Sequence, residues 1–159
     1  MSAAEGKKRE TFFILDGTSY AYRSFFAIQH LSNSQGMPTN AVYGFARALE
    51  KILRELRPDY VAVSFDMKGP TFRHEQFKDY KAHRPGMPQE LVVQLPLVRE
   101  LVAAYNIPVV ELQGFEADDV MGTMAHKAKA LGLETTILTG DKDMLQFVDD
   151  DVRVMSTAK

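Results

Sequence analysis

Residues 11–17 read Thr-Phe-Phe-Ile-Leu-Asp-Gly, and this stretch decides the fold. Its apolar residues, Phe12 to Leu15, suit a strand that is covered on both faces, as strands of a parallel sheet are. Asp16 follows at the carboxyl end of this strand, and Gly17 begins a turn. Ligands of open parallel sheets bind in the crevice outside the carboxyl ends of the strands. The stretch therefore predicts a parallel α/β protein with an acidic residue at its binding edge.

Four more apolar runs are predicted to be strands: 60–65, 108–112, 135–138 and 152–155. Segments with helical character separate or follow them, over 20–28, 40–57, 89–105, 116–131 and 142–148. Pro58 and Gly132 are predicted to end two of these helices, and Pro96 to break or kink a third. Strands that alternate with helices imply βαβ crossovers. The predicted fold class is α/β, with three layers (α/β/α) around a mostly parallel central sheet.

The composition fits one compact domain, because the chain has 159 residues and 45% hydrophobic content. The absence of cysteine excludes disulfides, thiolate metal sites and a catalytic thiol. Residues 1–10 are polar and charged and are predicted to be a flexible tail before a domain over 11–159. They do not resemble a secretory signal, and no run has the length of a membrane span. The expected location is the cytoplasm.

Acidic residues lie at or just past the ends of four of the predicted strands. They are Asp16, Asp66, Glu116, Asp118, Asp119, Asp141 and Asp143. Each one alone could be a turn former or a helix cap. Capping accounts for one acid per helix start, but not for three acids within 116–119 or two within 141–143. Seven like charges gathered in one crevice would repel one another, so a cation is expected among them.

The kind of ligand predicts the kind of metal. Carboxylates without cysteine or a well-placed histidine favour Mg²⁺ or Mn²⁺ over Zn²⁺. Seven acids exceed what one Mg²⁺ needs, because that ion keeps several of its waters. We therefore predict two Mg²⁺ ions about 3.5–4 Å apart, for which Mn²⁺ can substitute. Such a pair activates a water and stabilises the leaving oxygen of a phosphodiester, so no side-chain nucleophile is expected.

The charge balance fits a phosphodiester partner. The net charge is −2, from 21 acids and 19 lysines and arginines. Without the seven clustered acids, 14 acids remain against 19 bases. An acidic pocket in mildly basic surroundings suits a nucleic acid. Ordinary scatter of surface charge explains the same numbers, and both interpretations stay open.

Residues 67–88 form a polar, basic segment that is rich in glycine and proline. Because the segment follows a strand that ends in a candidate metal ligand, it is expected to overhang the crevice. Its candidate contacts to phosphates and splayed bases are Arg73, Lys78, Tyr80, Lys81 and Arg84. The alternative is a solvated loop whose aromatic residues pack back onto the core.

Two more residues are candidates for nucleic-acid contacts. Tyr20, just after the first aspartate, is either a stacking platform for a base or a core residue. Thr39 starts a helix whose free amides either bind a phosphate or need only a cap.

Seven motifs, in their order and spacing, resemble the 5′ nuclease domain of bacterial DNA polymerase I, in the flap endonuclease family. They are Ile14-Leu15-Asp16-Gly17, the stretch 38–45 (Pro-Thr-Asn-Ala-Val-Tyr-Gly-Phe), Phe65-Asp66, Phe72-Arg73, the stretch 80–84 (Tyr-Lys-Ala-His-Arg), the stretch 114–119 (Gly-Phe-Glu-Ala-Asp-Asp) and the stretch 139–143 (Thr-Gly-Asp-Lys-Asp). The resemblance runs from about Phe12 to Lys159.

The resemblance implies a metal-dependent hydrolase that removes 5′ nucleotides and cuts 5′ flaps during RNA primer removal and repair in the bacterial cytoplasm. It implies that the seven acids bind two Mg²⁺ ions directly or through water. It also implies that Arg73, Lys81 and Arg84 grip the phosphate near the cut, and that 67–88 is a helical arch. The family's domain continues past Lys159, and polymerase modules share its polypeptide. This chain is therefore expected to be the amino-terminal part of that domain.

Two other functions stay open. One is a nucleic-acid-binding fragment that is catalytically incomplete. The other is a ribonuclease with the related PIN-like fold, which shares fewer of the acids.

Overall fold

The central sheet is parallel, as the sequence predicts. The computed structural model describes residues 8–66 and 87–156. Within these ranges the strands are β1 (Thr11–Asp16), β2 (Tyr60–Ser64), β3 (Glu134–Thr139) and β4 (Val152–Ser156). Their order in the sheet is β2-β1-β3-β4, and every pair is parallel. Strand β1 is central, with Phe12 opposite Tyr60 on one side and Thr135 on the other.

Helices cover both faces of this sheet. The helical elements are α1 (Gly17–Ala27), α2 (Asn40–Lys51) with a π-helical turn (Ile52–Leu56), α3 (Gln89–Val92), α4 (Leu95–Ala104), α5 (Ala117–Ala130) and a 3₁₀ helix (Lys142–Phe147). Residues of α1, α2 and α4 share one hydrophobic cluster, and residues of α5 and the 3₁₀ helix share a second. The three-layer α/β/α class is therefore confirmed. None of the helices in the described ranges is long and apolar enough to cross a membrane.

Alternate residues of β1 enter the two clusters. Phe13 and Leu15 pack in the first cluster, with α1, α2 and α4. Phe12 and Ile14 pack in the second cluster, with α5. Because successive side chains of a strand point to opposite faces, an unbroken apolar run is what a strand between two helical layers requires.

The predicted strand over 108–112 is wrong. Only Val109 makes a parallel bridge, to Val63, through bonds from Val63 N–H to Pro108 and from Val110 N–H to the Val63 carbonyl. The chain then leaves the sheet, and Glu111 pairs with Arg99 of α4. The next residue, Leu112, is exposed. The described sheet thus has four strands instead of the predicted five.

The predicted break near Pro96 is confirmed, and another predicted helix differs in form. The helix over 89–105 divides into α3 and α4 at residues 93–94, just before Pro96, which lies in the first turn of α4 and has no amide to continue α3. The helix over 40–57 changes to the π-helical turn after Lys51. It ends at Arg57, with a φ of 45°, directly before Pro58. Gly132, with a φ of 80°, follows α5 and confirms the predicted stop.

The end of the predicted tail belongs to the domain. The Arg9 guanidinium donates to Asp151 at 2.6 Å and to the carbonyls of Gly132 and Leu133. The Glu10 carbonyl accepts a bond from the Glu134 amide. The ordered domain therefore begins before Thr11.

The strand order creates a switch point. From β1 the chain moves to one side, to β2 and the bridge at Val109, and then returns to the other side of β1 as β3 and β4. The direction thus reverses between β1 and β3. Connections that leave neighbouring strands in opposite directions open a crevice at their carboxyl ends, where ligands of such sheets bind.

Candidate metal centre

A cavity of about 720 Å³ opens at the carboxyl ends of β1, β2 and β3. Five of the seven predicted acids line it, and they come from four separate parts of the chain: Asp16, Asp66, Glu116, Asp118 and Asp141. The gathering of distant acids at one edge follows from parallel topology, because all the strands end on the same side.

Asp16 is the most enclosed aspartate of the cavity and ends β1. It is 5% exposed and accepts bonds from the Ser19 amide at 3.1 Å and the Thr139 hydroxyl at 2.7 Å. Burial, with smaller contributions from the negative charges of Asp66 and Asp141, raises the pKa of Asp16 to about 6 against the lowering effect of these bonds. The carboxyl therefore lies in a place that disfavours its own negative charge.

Asp66 joins β2 to the two helices at the cavity. One oxygen accepts from the Ala117 amide at 2.8 Å, at the first residue of α5. Its own amide donates to the Thr18 hydroxyl in α1 at 3.0 Å. These bonds fix the position of Asp66 although its side chain is exposed.

The side chains of Asp118 and Asp141 lie close to each other in the cavity. Burial, the contact with Asp141 and the negative charges of Asp141, Asp16 and Asp66 together raise the pKa of Asp118 to about 8. Asp118 therefore holds its proton more tightly than a free aspartate does, because a second negative charge so close to Asp141 is unfavourable.

The remaining acids lie beside the cavity. An adjoining cleft is lined by Glu116 and Asp118, which both clefts share, and by Asp119 and Asp143. Glu116 and Asp119 form a capping box at the start of α5, with the Glu116 amide donating to Asp119 at 3.2 Å. Asp141 caps the 3₁₀ helix by accepting from the Asp143 amide. Capping therefore accounts for Glu116, Asp119 and Asp141. The same three residues also line the two clefts.

The donor set suits a hard divalent cation, although the ligands do not yet enclose one. In residues 8–66 and 87–156 no three acidic or histidine side chains are close enough to hold a metal ion as they stand. The donors that line the clefts are carboxylate oxygens, which Mg²⁺, Mn²⁺ and Ca²⁺ prefer. Burial and the neighbouring acids raise the pKa values of Asp16 and Asp118, so their negative forms lack sufficient compensation in the described part of the cavity. A divalent cation would supply that compensation.

Tyr20 belongs to the core. It is 9% exposed and packs edge-on against Phe45, with ring centroids 6.3 Å apart. A buried ring offers no free face to a nucleotide base, so of the two interpretations core packing is the observed one.

The helix start at Thr39 is also occupied. Thr39 makes no side-chain cap, and the amides of Ala41 and Val42 donate instead to the Gln94 side chain, at 2.8 and 3.1 Å. Gln94 is fully buried, and its amide group donates to Asn40. These bonds leave the amides of residues 41 and 42 unavailable to a phosphate.

The predicted nucleic-acid contacts of segment 67–86 lie outside the described residues. They are Arg73, Lys78, Tyr80, Lys81 and Arg84, all within 67–86. The residues that flank this segment, Asp66 and Met87, both line the cavity.

One cation at the cavity is absent from our sequence-based predictions. Arg99 of α4 lines the cavity, binds Glu111 through both terminal nitrogens at 2.8 and 2.9 Å, and lies over the Phe65 ring. No motif or spacing indicates this residue, because its partner lies 12 positions away in a segment without helical period.

The fold and the site define a three-layer α/β protein with a carboxylate centre at its switch point. Residues 11–159 match the family described as "5′-3′ exonuclease, N-terminal resolvase-like domain". The chain belongs to this family.

Curated relatives agree with this assignment. The chain is 47% identical over 146 residues to DNA polymerase I of Caldicellulosiruptor bescii, which covers 91% of the chain and 17% of that protein. It is 45% identical over 147 residues to the 5′-3′ exonuclease of Aquifex aeolicus, which covers 92% of the chain and 51% of that protein. The chain thus spans about half of the second relative and a smaller part of the first.

A solved structure shares the fold. The bacteriophage T5 D15 flap endonuclease, in a pseudo-enzyme–product complex with DNA and metal ions, superposes with a TM-score of 0.69 at 18% identity. The match covers 93% of the chain and 55% of the phage protein.

Proposed function

We propose that this chain is the acid-bearing, amino-terminal part of a metal-dependent 5′ nuclease that hydrolyses phosphodiesters at 5′ ends and 5′ flaps. The observation that carries the proposal is the convergence of five carboxylates from four parts of the chain on one cavity. Family membership supports the reaction class, and the names of the relatives support DNA as the substrate and polymerase modules as neighbours. RNA–DNA primers are a further proposed substrate, which rests on the resemblance of the motifs. The proposed place of action is the bacterial cytoplasm, at the nucleoid.

We propose Mg²⁺ as the metal, with Mn²⁺ as a substitute. Two ions suit the two adjoining clefts, because Glu116 and Asp118 line both. Asp16, Asp66 and Asp141 would complete the first site, and Asp119 and Asp143 the second. When bound, the two ions supply an activated water and stabilisation of the leaving oxygen.

Hydrogen bonds within the chain hold two of the proposed metal ligands in position. The bonds from Ser19 and Thr139 hold Asp16, and the bonds to Thr18 and Ala117 hold Asp66, so both carboxylates are oriented in advance. Segment 67–86 connects Asp66 to Met87, and both of these residues line the cavity. We propose that its Arg73, Lys81 and Arg84 hold the phosphate and that Lys78 and Tyr80 contact the strand beside it.

The first prediction concerns cleavage. A full-length protein that contains this chain is incubated with a 5′-labelled flap DNA in Mg²⁺, Mn²⁺ or EDTA. We expect release of short 5′ products with either metal and none in EDTA. Asp66→Asn and Asp141→Asn should each lower the rate by about 100-fold or more, because each removes a negative ligand and keeps the shape of the side chain.

The matched control is Asp149→Asn, an exposed aspartate that pairs with Lys129 and does not line the cavity. It should cleave like the parent. If both site variants kept the parent's rate within about twofold, the assignment of the site would be wrong.

A non-catalytic nucleic-acid-binding role is the second candidate. The specific observation in its favour is that the described acids do not yet enclose a metal ion. Binding of the flap DNA without cutting would support this role if a longer chain of the same protein also failed to cut. Cutting of RNA in preference to DNA would instead favour the PIN-like ribonuclease.

A further inference from the structure

Phe65 links the elements that carry the first two aspartates. It directly precedes Asp66, is 3% exposed, and stacks on Phe45 with ring centroids 6.2 Å apart. On another side the ring touches the backbone just after Asp16, because a Cβ added at Gly17 would lie 2.5 Å from it. A shift of this ring would therefore move the carboxyl ends of both β1 and β2.

Arg99 covers the same ring. Its guanidinium carbon lies 4.7 Å from the Phe65 centroid, a distance at which the cation and the ring face attract. Both terminal nitrogens of Arg99 donate to Glu111, one to each oxygen. Because both terminal nitrogens of the planar guanidinium are hydrogen-bonded to Glu111, the group has little freedom to rotate and is fixed against the Phe65 ring.

Glu111 also keeps this cation away from the acids. Arg99 lines the cavity that Asp16, Asp66 and Asp141 line. A free guanidinium there would be drawn to those carboxylates and would compete with a metal ion for them. The short, two-point pair with Glu111 holds it at the edge of the cavity.

The ion pair between Arg99 and Glu111 also connects other parts of the site. Glu111 follows the bridge at Val109, and five residues later the same segment supplies Glu116. The pair therefore ties α4 to the segment that leads to Glu116, and through Phe65 to the residues that precede Asp66 and follow Asp16.

We propose that Arg99 and Glu111 act together as positioning residues for the carboxylate centre. This inference rests on the proposed function, because it assumes that the carboxylates bind divalent metal. Arg99 acts through Phe65 and does not itself hold metal or substrate.

The test measures metal affinity without substrate. Arg99→Leu, Glu111→Gln and the double variant are titrated with Mn²⁺, and free Mn²⁺ is followed by electron paramagnetic resonance. Each single variant should bind Mn²⁺ about tenfold more weakly, as loss of groups that orient metal ligands does. The double variant should be no weaker than the worse single one, because the two residues act as a unit.

Arg99→Lys separates positioning from charge. Lysine keeps the positive charge but cannot form the two-point pair or stack as a plane, so it should bind Mn²⁺ as weakly as Arg99→Leu. Full affinity in Arg99→Lys would overturn the proposal. Tighter binding in Arg99→Leu would also overturn it, because it would show that Arg99 only repels the metal.

Arg54→Leu and Glu50→Gln are the matched controls, since Arg54 and Glu50 form an exposed pair on α2 and the π-helical turn, away from the cavity. They should keep the parent's affinity. Circular dichroism in EDTA confirms that every variant is folded during the titration. Absence of Mn²⁺ binding by the parent would overturn the proposed function and this inference together. Parent-like affinity in the Arg99 and Glu111 variants would overturn this inference alone.

Discussion

Asp16 shows how burial and neighbouring charge compete with hydrogen bonding at one residue. Two bonds, from Ser19 and Thr139, favour its ionised form, yet burial outweighs them and its pKa rises to about 6. Asp118 has the same imbalance, and its pKa rises to about 8. Both carboxyls therefore hold a proton more tightly in the folded chain than in the unfolded one.

This proton affinity predicts how stability depends on pH in EDTA. A raised pKa stabilises the fold fully below the unfolded value near 4, and the stabilisation disappears as pH rises through the folded value. The free energy of unfolding should therefore fall by about 3 kcal/mol in total through Asp16 as the pH rises from below 4 to above 6. It should fall further towards pH 8 through Asp118. Urea unfolding across this range measures the loss.

The variant Asp118→Asn tests how much Asp118 contributes to the decline in stability in the upper part of this pH range. It should flatten the decline between pH 6 and 8 and leave the variant more stable than the parent at pH 8. The control Asp149→Asn removes a carboxylate whose pKa is lowered by Lys129, so it should keep the decline. A parent whose stability rises from pH 6 to 8 in EDTA would contradict the raised pKa values.

Among the elements, α2 depends on a residue that lies outside it. Gln94 accepts bonds from the amides of Ala41 and Val42 and donates to Asn40 and to the Glu90 carbonyl. Gln94→Leu would leave these buried groups without partners, which should lower the free energy of unfolding by about 3 kcal/mol. Urea unfolding measures this change.

Gln29→Leu is the control, because Gln29 is exposed. Its effect should stay within about 0.5 kcal/mol. An equally small effect of Gln94→Leu would mean that the start of α2 does not need this side chain.

Local pattern was enough to predict most elements. The apolar runs of β1 and β2 and the stop at Gly132 follow from side-chain spacing and backbone preference alone. The segment 108–112 has the same apolar character, yet it forms only a bridge at Val109, and its Glu111 pairs with Arg99 instead of continuing the sheet. The role of Gln94 is equally invisible in sequence, since the α2 residues that it binds lie more than 50 residues away.

For the whole molecule, the sequence indicated which acids gather but not how they divide. Parallel topology alone brings the ends of β1, β2 and β3 together, so the acids near those ends could be placed at one edge. The division into two clefts depends on tertiary packing, which brings Asp118 towards Asp141 and leaves Asp119 and Asp143 in the adjoining cleft. Arg99 enters the cavity through tertiary packing, which no spacing along the chain reports.

Because carboxylates line the cavity, we expect bound divalent metal to stabilise the folded chain. At pH 7.5, Mg²⁺ or Mn²⁺ at 100 times its dissociation constant should raise the free energy of unfolding by about 2.7 kcal/mol. Thermal unfolding in MgCl₂ or MnCl₂, compared with EDTA, measures the rise. Asp141→Asn should lose most of it, whereas Asp149→Asn should keep it. An equal rise in NaCl of the same ionic strength would show that screening, and not a bound metal, is responsible.

The double use of the acids has an evolutionary consequence. Asp16 caps α1, Asp66 anchors the start of α5, and Asp141 caps the 3₁₀ helix. A descendant of this protein that no longer needed its chemistry would still be under selection to keep these side chains, because folding uses them. Asparagine keeps a side-chain oxygen that accepts these hydrogen bonds. It is therefore the replacement that a descendant without this chemistry could tolerate first.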